Sequence, residues 1–384
     1  MRIYGFTEYG GPEVEGFLDA PDPVASTRAV LVRMRAAGLN PADLKVRSGQ
    51  RQGTVEVRFP MALGREAAGA VVRDPSGRFR AGELVFGSCA SGFGALGDLV
   101  LLVVEQTARV PEGATPEQAA CIPVAIETAW DALAELEVGP GDTVLILGAG
   151  GGVGVHAVQL ARHLGARVIG VAGAGKAELV ASAGAEHVPS GPGWNEAVAA
   201  LAPEGVDAVI DAVGGDTVRE AATLLRDPGQ IRSSAAPALA SELGGSGITR
   251  RRDAGVYAEL AELVARGVIQ PVIHTTYPLS EAAAAVATVA SGHATGKTVI
   301  TAATTHDLSW RGDKRGYDGR ITPICRLSMM RAAVSPRRLT SRCRRGGPGP
   351  RGRAAAPAAG AGRAASPARR GPRPGRRGAR HESP

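Results

Sequence analysis

The hydrophobic pattern changes period along the chain. In 29–36 (AVLVRMRA), Val30, Val32 and Met34 point one way and Leu31, Arg33 and Arg35 the other, as in a half-buried antiparallel strand. Residues 2–6 (RIYGF) read as a strand before a YGGPE turn, and 59–72 (FPMALGREAAGAVV) and 81–88 (AGELVFGS) as glycine-punctuated strands. Short strands with turn residues predict a small barrel-like fold. In 36–49 (AAGLNPADLKVRSG), Asn40-Pro41 starts a turn and Asp43 is expected to cap a short helix. Residues 115–136 predict a helix joining two domains, with Thr115 and Gln118 at capping-box spacing despite Pro123.

From residue 143 the pattern is different. Val144, Leu145, Ile146 and Leu147 form an unbroken apolar run, the mark of a parallel strand buried on both faces. Further strands are expected at 166–171 (ARVIGV), 187–188 and 206–215 (VDAVIDAVGG), with helices at 155–164, 176–183, 195–201 and 257–266. This alternation predicts an α/β doubly wound sheet. Residues 230–236 look like another strand. The next stretch, 238–255, is glycine-rich and carries Arg250, Arg251 and Arg252 where a further buried strand is expected, so no strand is placed there. Residues 272–277 are extended, 280–290 an alanine-rich helix and 292–301 a closing strand.

At 384 residues the chain is long enough for two domains with sizeable cores. Its net charge of +7 is unevenly spread: residues 311–384 hold 20 Lys and Arg against 3 Asp and Glu, whereas 1–310 hold 24 against 34. The body is therefore acidic, and the tail's basicity is no nucleic-acid footprint on the folded part. From about residue 304 the pattern dissolves, and beyond 337 it becomes Arg, Pro, Gly and Ala, a composition expected to stay disordered. All four residue types have GC-rich codons, so an altered reading frame is one hypothesis for the tail. An intact mass including it would count against that. Cys89, Cys121, Cys325 and Cys343 are scattered, suggesting neither a disulfide framework nor a clustered zinc site. The N-terminus lacks the build of a signal peptide and no apolar run approaches ~20 residues, so a cytoplasmic protein without a membrane partner is expected.

The candidate chemistry centres on 148–154 (GAGGGVG), between the apolar strand and a helix. Glycines at 148, 151 and 154, with others at 150 and 152, allow a tight turn, close approach to a pyrophosphate and helix packing on the strand. The helix N-terminus would face the phosphates. An NAD site of this kind usually has Asp or Glu ~20 residues after the first glycine. Residues 168–173 read VIGVAG, without a carboxylate to repel a 2′-phosphate.

The motifs AAGLNPADLKVRSG, LGREAAG, IPVAIETAW, GAGGGVG with AVQLARHLGARVIG, AVGGDT and GHATGK follow one another over residues 1 to about 302. In that order they resemble the zinc-independent quinone oxidoreductase (zeta-crystallin-like) branch of the medium-chain dehydrogenase/reductase superfamily. The resemblance implies a GroES-like β-barrel domain built from both chain ends (1–122 and 267–303), a central Rossmann domain (123–266) and a tail (304–384). It implies cofactor contacts at Gly148, Ala149, Gly151, Gly152, Val153, Gly154, Gly173, Lys176, Val213, Ser234 and Lys297. Lys176 matches the family's phosphate-binding lysine, which favours NADPH, or is a solvated lysine opening a helix. The family's usual serine near 173 is glycine here, and its tyrosine after the third strand aligns with Gly191.

Asn40 and Thr128 align with residues beside the nicotinamide, or are a turn former and a helix residue. Lys45 and Arg51 stand where some relatives carry tyrosines at the substrate mouth. Zinc alcohol dehydrogenases hold zinc with a cysteine and a Gly-His-Glu histidine; the places here read Asn40 and Gly64-Arg65-Glu66, so no metal is expected. Glu66 then reads as a paired structural carboxylate, or as an acid catalyst. Lys297 with His293 fixes the return strand, or His293 is catalytic. The implied function is NADPH-dependent hydride transfer to a quinone or conjugated enone or alkenal, with a homodimer through the Rossmann sheet edge. The alternative is a catalytically impaired cofactor sensor or nucleic-acid-binding protein using the basic tail.

Overall fold

The computed structural model describes residues 1–292 and 294–302. The expectations for His293 and for the tail lie outside those residues. The first part of the chain runs β1 (Arg2–Phe6), β2 (Glu15–Asp19), β3 (Ala29–Leu39), α1 (Pro41–Arg47), β4 (Met61–Ala62), β5 (Glu66–Arg73), β6 (Leu84–Cys89) and β7 (Leu99–Arg109). β2, β1 and β4 form a small antiparallel sheet. β3, β5, β6 and β7 pair in turn, and β3 also pairs with β7, which closes the sheet on itself. Val30, Val32 and Met34 enter this core while Arg33 and Arg35 remain exposed, as the alternation requires. β2 and β7 were not expected. The run LVLLVV in β7 does not alternate: Val100, Leu102 and Val104 enter the barrel core, and Leu101 is buried on the other face.

The expected helix at 115–136 is broken. α2 (Pro116–Ala119) has its capping box: Thr115 Oγ1 accepts from Gln118 N–H at 3.3 Å and Gln118 Oε1 accepts from Thr115 N–H at 2.9 Å. A widened π-type turn, Ile122–Ile126, then precedes α3 (Glu127–Glu135). Pro123 has no N–H to donate, and the Val124 N–H donates to the Glu66 carboxylate at 2.8 Å instead of back along the helix.

The central part contains β8 (Thr143–Leu147), α4 (Gly152–His163), β9 (Arg167–Ala172), α5 (Ala177–Ser182), β10 (Glu186–Pro189), α6 (Trp194–Leu201), β11 (Ala208–Asp211), α7 (Asp216–Ala222), β12 (Ile231–Ser233), α8 (Pro237–Glu242), β13 (Ser246–Gly247) and α9 (Ala254–Ala265). Its six strands are parallel in the order β10-β9-β8-β11-β12-β13, the doubly wound dinucleotide-binding arrangement. Val144 and Ile146 pack on one side of β8, Leu145 and Leu147 on the other, so both faces of the run are buried.

β13 corrects the reading of 238–255: a strand is present, two residues long. The arginines after it make a charged ladder instead of further sheet. Glu127, Asp131 and Glu135 lie four residues apart on one face of α3. Arg250 reaches Glu127 at 2.7 Å, Arg251 reaches Asp131 at 2.5 Å, and Arg232 of β12 reaches Glu135 at 2.8 Å. The last part, β14 (Ile273–Pro278), α10 (Ala282–Ala290) and β15 (Lys297–Thr301), returns to the first sheet. β15 pairs antiparallel with β3 and parallel with β14. The barrel is thus built from both ends of the described chain.

Candidate functional site

β8 ends at Leu147, and Gly148 turns the chain with φ +77°, a left-handed conformation that favours glycine. A Cβ on Gly154 would lie 2.2 Å from the Gly148 carbonyl oxygen, so only glycine lets α4 pack this closely. Gly152, Val153 and Gly154 open α4, and their N–H groups have no acceptor within the helix. Gly148, Gly151, Gly152 and Val153 line a cleft of about 910 Å³ between the parallel sheet and the barrel. Ala149 is fully buried in the core and Gly154 lies beneath the turn; neither lines the cleft.

Along the cleft, Gly173, Lys176, Val213 and Ser234 follow the turn. Lys176 lies across Gly150 and donates to the Ala294 carbonyl at 3.0 Å; partial burial lowers its pKa. Gly173 has φ −53° and open space where a Cβ would stand, so its backbone does not demand glycine. Val213 is 53% exposed. Asp211 Oδ1 accepts from the N–H groups of Val213 and Gly214, each at 2.8 Å, and holds the turn after β11. Ser234 donates to the Asp211 carbonyl at 3.2 Å. Ser190 also lines this end and had no sequence signal.

Opposite the turn, Asn40, Lys45, Arg51 and Thr128 line the same cleft, brought there by α1, the chain beyond it and α3. Asn40 is held from two sides: its Nδ2 donates to Glu66 Oε1 at 2.9 Å, and its Oδ1 accepts from Lys297 Nζ at 2.6 Å. The Lys297 ammonium also donates to Glu66 Oε1 at 2.7 Å and to the Leu39 carbonyl at 3.0 Å. All three of its donors are then used, with the side chain 2% exposed. Lys297, implied as a cofactor ligand, is thus a buried tie; its partner Glu66 is the paired carboxylate that was expected.

Asp43 helps cap α1 as expected, but from the third helical position, as the acidic member of a capping box. Asn40 precedes the helix, and Asp43 Oδ2 accepts from the Asn40 N–H at 2.8 Å. Burial pushes the Asp43 pKa up to about 7, against the opposing pull of Arg65. The Thr128 hydroxyl makes no hydrogen bond among the described residues. Among these residues no group of three or more His, Cys, Asp or Glu is placed to hold a metal ion.

A glycine turn at the carboxyl end of a parallel sheet, facing polar groups of a barrel completed by both chain ends, defines an NAD(P)-dependent oxidoreductase of the medium-chain dehydrogenase/reductase superfamily. Residues 26–112 match the family model described as alcohol dehydrogenase GroES-like domain, and 183–300 the one described as zinc-binding dehydrogenase. The chain is 33% identical over 324 residues to a Pseudomonas aeruginosa quinone oxidoreductase, covering 77% of this chain and 98% of that one. It is 29% identical over 320 residues to the Arabidopsis thaliana chloroplastic NADPH-dependent alkenal/one oxidoreductase, covering 78% and 79%. The Escherichia coli quinone oxidoreductase complexed with NADPH superposes with a TM-score of 0.69 at 28% identity, covering 78% of this chain and 100% of that one. The chain also matches polyketide synthase GfsB of Streptomyces halstedii, 33% identical over 291 residues and 71% of this chain, while spanning 5% of that protein's length. The chain belongs to the quinone oxidoreductase-like family of that superfamily. Among the described residues no helix is long and apolar enough to cross a membrane.

Proposed function

We propose that the protein is a cytoplasmic NADPH-dependent reductase of a quinone or a conjugated enone or alkenal, working without zinc. The observation that carries this reading is a single cleft holding both the glycine turn and, across from it, the Asn40 amide and Thr128 hydroxyl. The N–H groups of Gly152 and Val153, at the start of α4, suit a pyrophosphate. No carboxylate lines the cleft beside Gly173, so nothing there repels a 2′-phosphate, and Lys176 can turn from the Ala294 carbonyl to meet it. Val213 offers an apolar wall and Ser234 a hydroxyl. When bound, the nicotinamide supplies the hydride.

Asn40 keeps a second amide N–H for the cleft, oriented by Glu66 and Lys297. With Thr128 it donates to the oxygen that gains charge as the acceptor is reduced. That oxygen becomes a stabilised phenolate or enolate, so a proton from water completes reduction and no strong acid is required. Catalysis is then mainly positioning. The division at 1–122, 123–266 and 267–303 and a homodimer through the β13 edge belong to the same reading. Loss of NADPH absorbance with a panel of quinones, enones and alkenals tests it, alongside calorimetry with NADPH and NADH. Cofactor binding without turnover of any acceptor would refute the enzymatic reading; equal affinity for the two cofactors would refute the preference.

A further inference from the structure

Lys45, Arg51, Arg65 and Arg252 all line the cleft, and none makes an ion pair among the described residues. The acids near them are already engaged. Glu56 is paired with Arg58, Glu66 with Lys297 and Glu127 with Arg250. Asp43, with its pKa pushed up to about 7 by burial, offsets only part of the positive charge at neutral pH. Burial and the charges of Arg250 and Arg65 lower the Arg252 pKa, so the arginines sense one another. This cationic surplus sits in a body with ten more acidic than basic residues over 1–310. A cleft lined by one sign of charge concentrates ligands of the opposite sign.

Resting on the reductase reading above, we propose that the acceptor carries an oxyanion, a carboxylate or phosphate on its conjugated system, received by Arg65 and Arg252 with help from Lys45 and Arg51. Guanidinium groups suit this task, since they present paired N–H donors to an oxyanion and stay charged. The cations come from different elements: Lys45 from α1, Arg51 from the chain beyond it, Arg65 from the approach to β5 and Arg252 from the loop before α9. The anion therefore binds where barrel and sheet face each other, beside Asn40 and Thr128.

The test compares matched acceptors at saturating NADPH: an oxo-enoate with its methyl ester, and an enone phosphate monoester with the free alcohol. The charged member of at least one pair is expected to have kcat/KM about tenfold higher, typical of one charge-assisted hydrogen bond. The pair that shows the preference identifies the oxyanion. Arg65→Gln and Arg252→Gln should each reduce the charged-to-neutral ratio several-fold, and added salt should erode it. Turnover of both members of each pair with no charged preference would overturn this proposal and leave the reductase reading standing. Turnover of neither member, with quinones, enones and alkenals also inert, would remove the reductase reading itself. If Arg252→Gln raises the KM for NADPH while leaving the acceptor ratio unchanged, that arginine serves the cofactor and its place in the proposal falls.

Discussion

Removing the ammonium of Lys297 should destabilise the protein far more than its size suggests. Glu66 is fully buried and accepts from Lys297, Asn40 and the Val124 N–H, tying together β15, the start of α1 and the turn before α3. Lys297→Met leaves a buried carboxylate without its counter-charge, and also strips the Leu39 carbonyl and Asn40 Oδ1 of a donor. Breaking a buried pair in this way costs about 3–5 kcal/mol, a large share of the roughly 5–15 kcal/mol that holds a domain folded. Glu66→Gln should cost about 2–4 kcal/mol, because the ammonium keeps two other acceptors. The double variant removes both charges and should lose much less than the sum, giving a coupling of about 2 kcal/mol or more. Urea unfolding followed by the fluorescence of Trp130 and Trp194 measures all four corners of the cycle. Additive losses, or a Lys297→Met cost below about 1 kcal/mol, would refute the picture of a coupled buried tie.

Gly154→Ala should misfold or lose cofactor binding, since its Cβ would meet the Gly148 carbonyl at 2.2 Å, whereas Gly173→Ser should be tolerated and tighten NADPH binding by about tenfold through one added charge-assisted hydrogen bond, both read by calorimetry. Burial lowers the His156 pKa to about 4 from the ordinary imidazole value of 6.5; its Nδ1 lies 2.5 Å from the Gly152 carbonyl and its Nε2 accepts from the Val272 N–H. Between those values the unfolded chain binds the proton that the folded one refuses, so this residue's stabilisation is present above pH 6.5 and is lost as pH falls towards 4. Asp43, its pKa raised, acts with the opposite sign, so the measurement is the difference in unfolding free energy between wild type and His156→Gln, which should shrink by about 3 kcal/mol over that fall. Arg250→Ala should cost about 3 kcal/mol because it strands the fully buried Glu127, and Arg251→Ala, whose side chain is 46% exposed, about 1 kcal/mol, both by urea unfolding.

What the sequence by itself determined were features with a local cause. An unbroken apolar run made β8 a strand buried on both faces, the glycines of 148–154 set the turn, and the alternation around Val32 set β3. Motif order was enough to place both chain ends in one barrel. Composition located the negative body. Only the tertiary structure decided how distant charges pair. Glu66 and Lys297 are 231 residues apart, Arg250 and Glu127 123 apart, and neither member of a pair carries a mark of its partner. The helix expected across 115–136 breaks because a carboxylate from β5 takes the Val124 N–H, a competition no helical window contains. Asn40, Thr128, Lys45 and Arg51 could each be singled out along the chain, and the fold puts all four on one cleft. That Arg65 and Arg252 join them without an ion pair among the described residues follows from packing a sheet against a barrel, since a charge's surroundings are set by whatever the fold brings within a few ångströms, not by its neighbours along the chain.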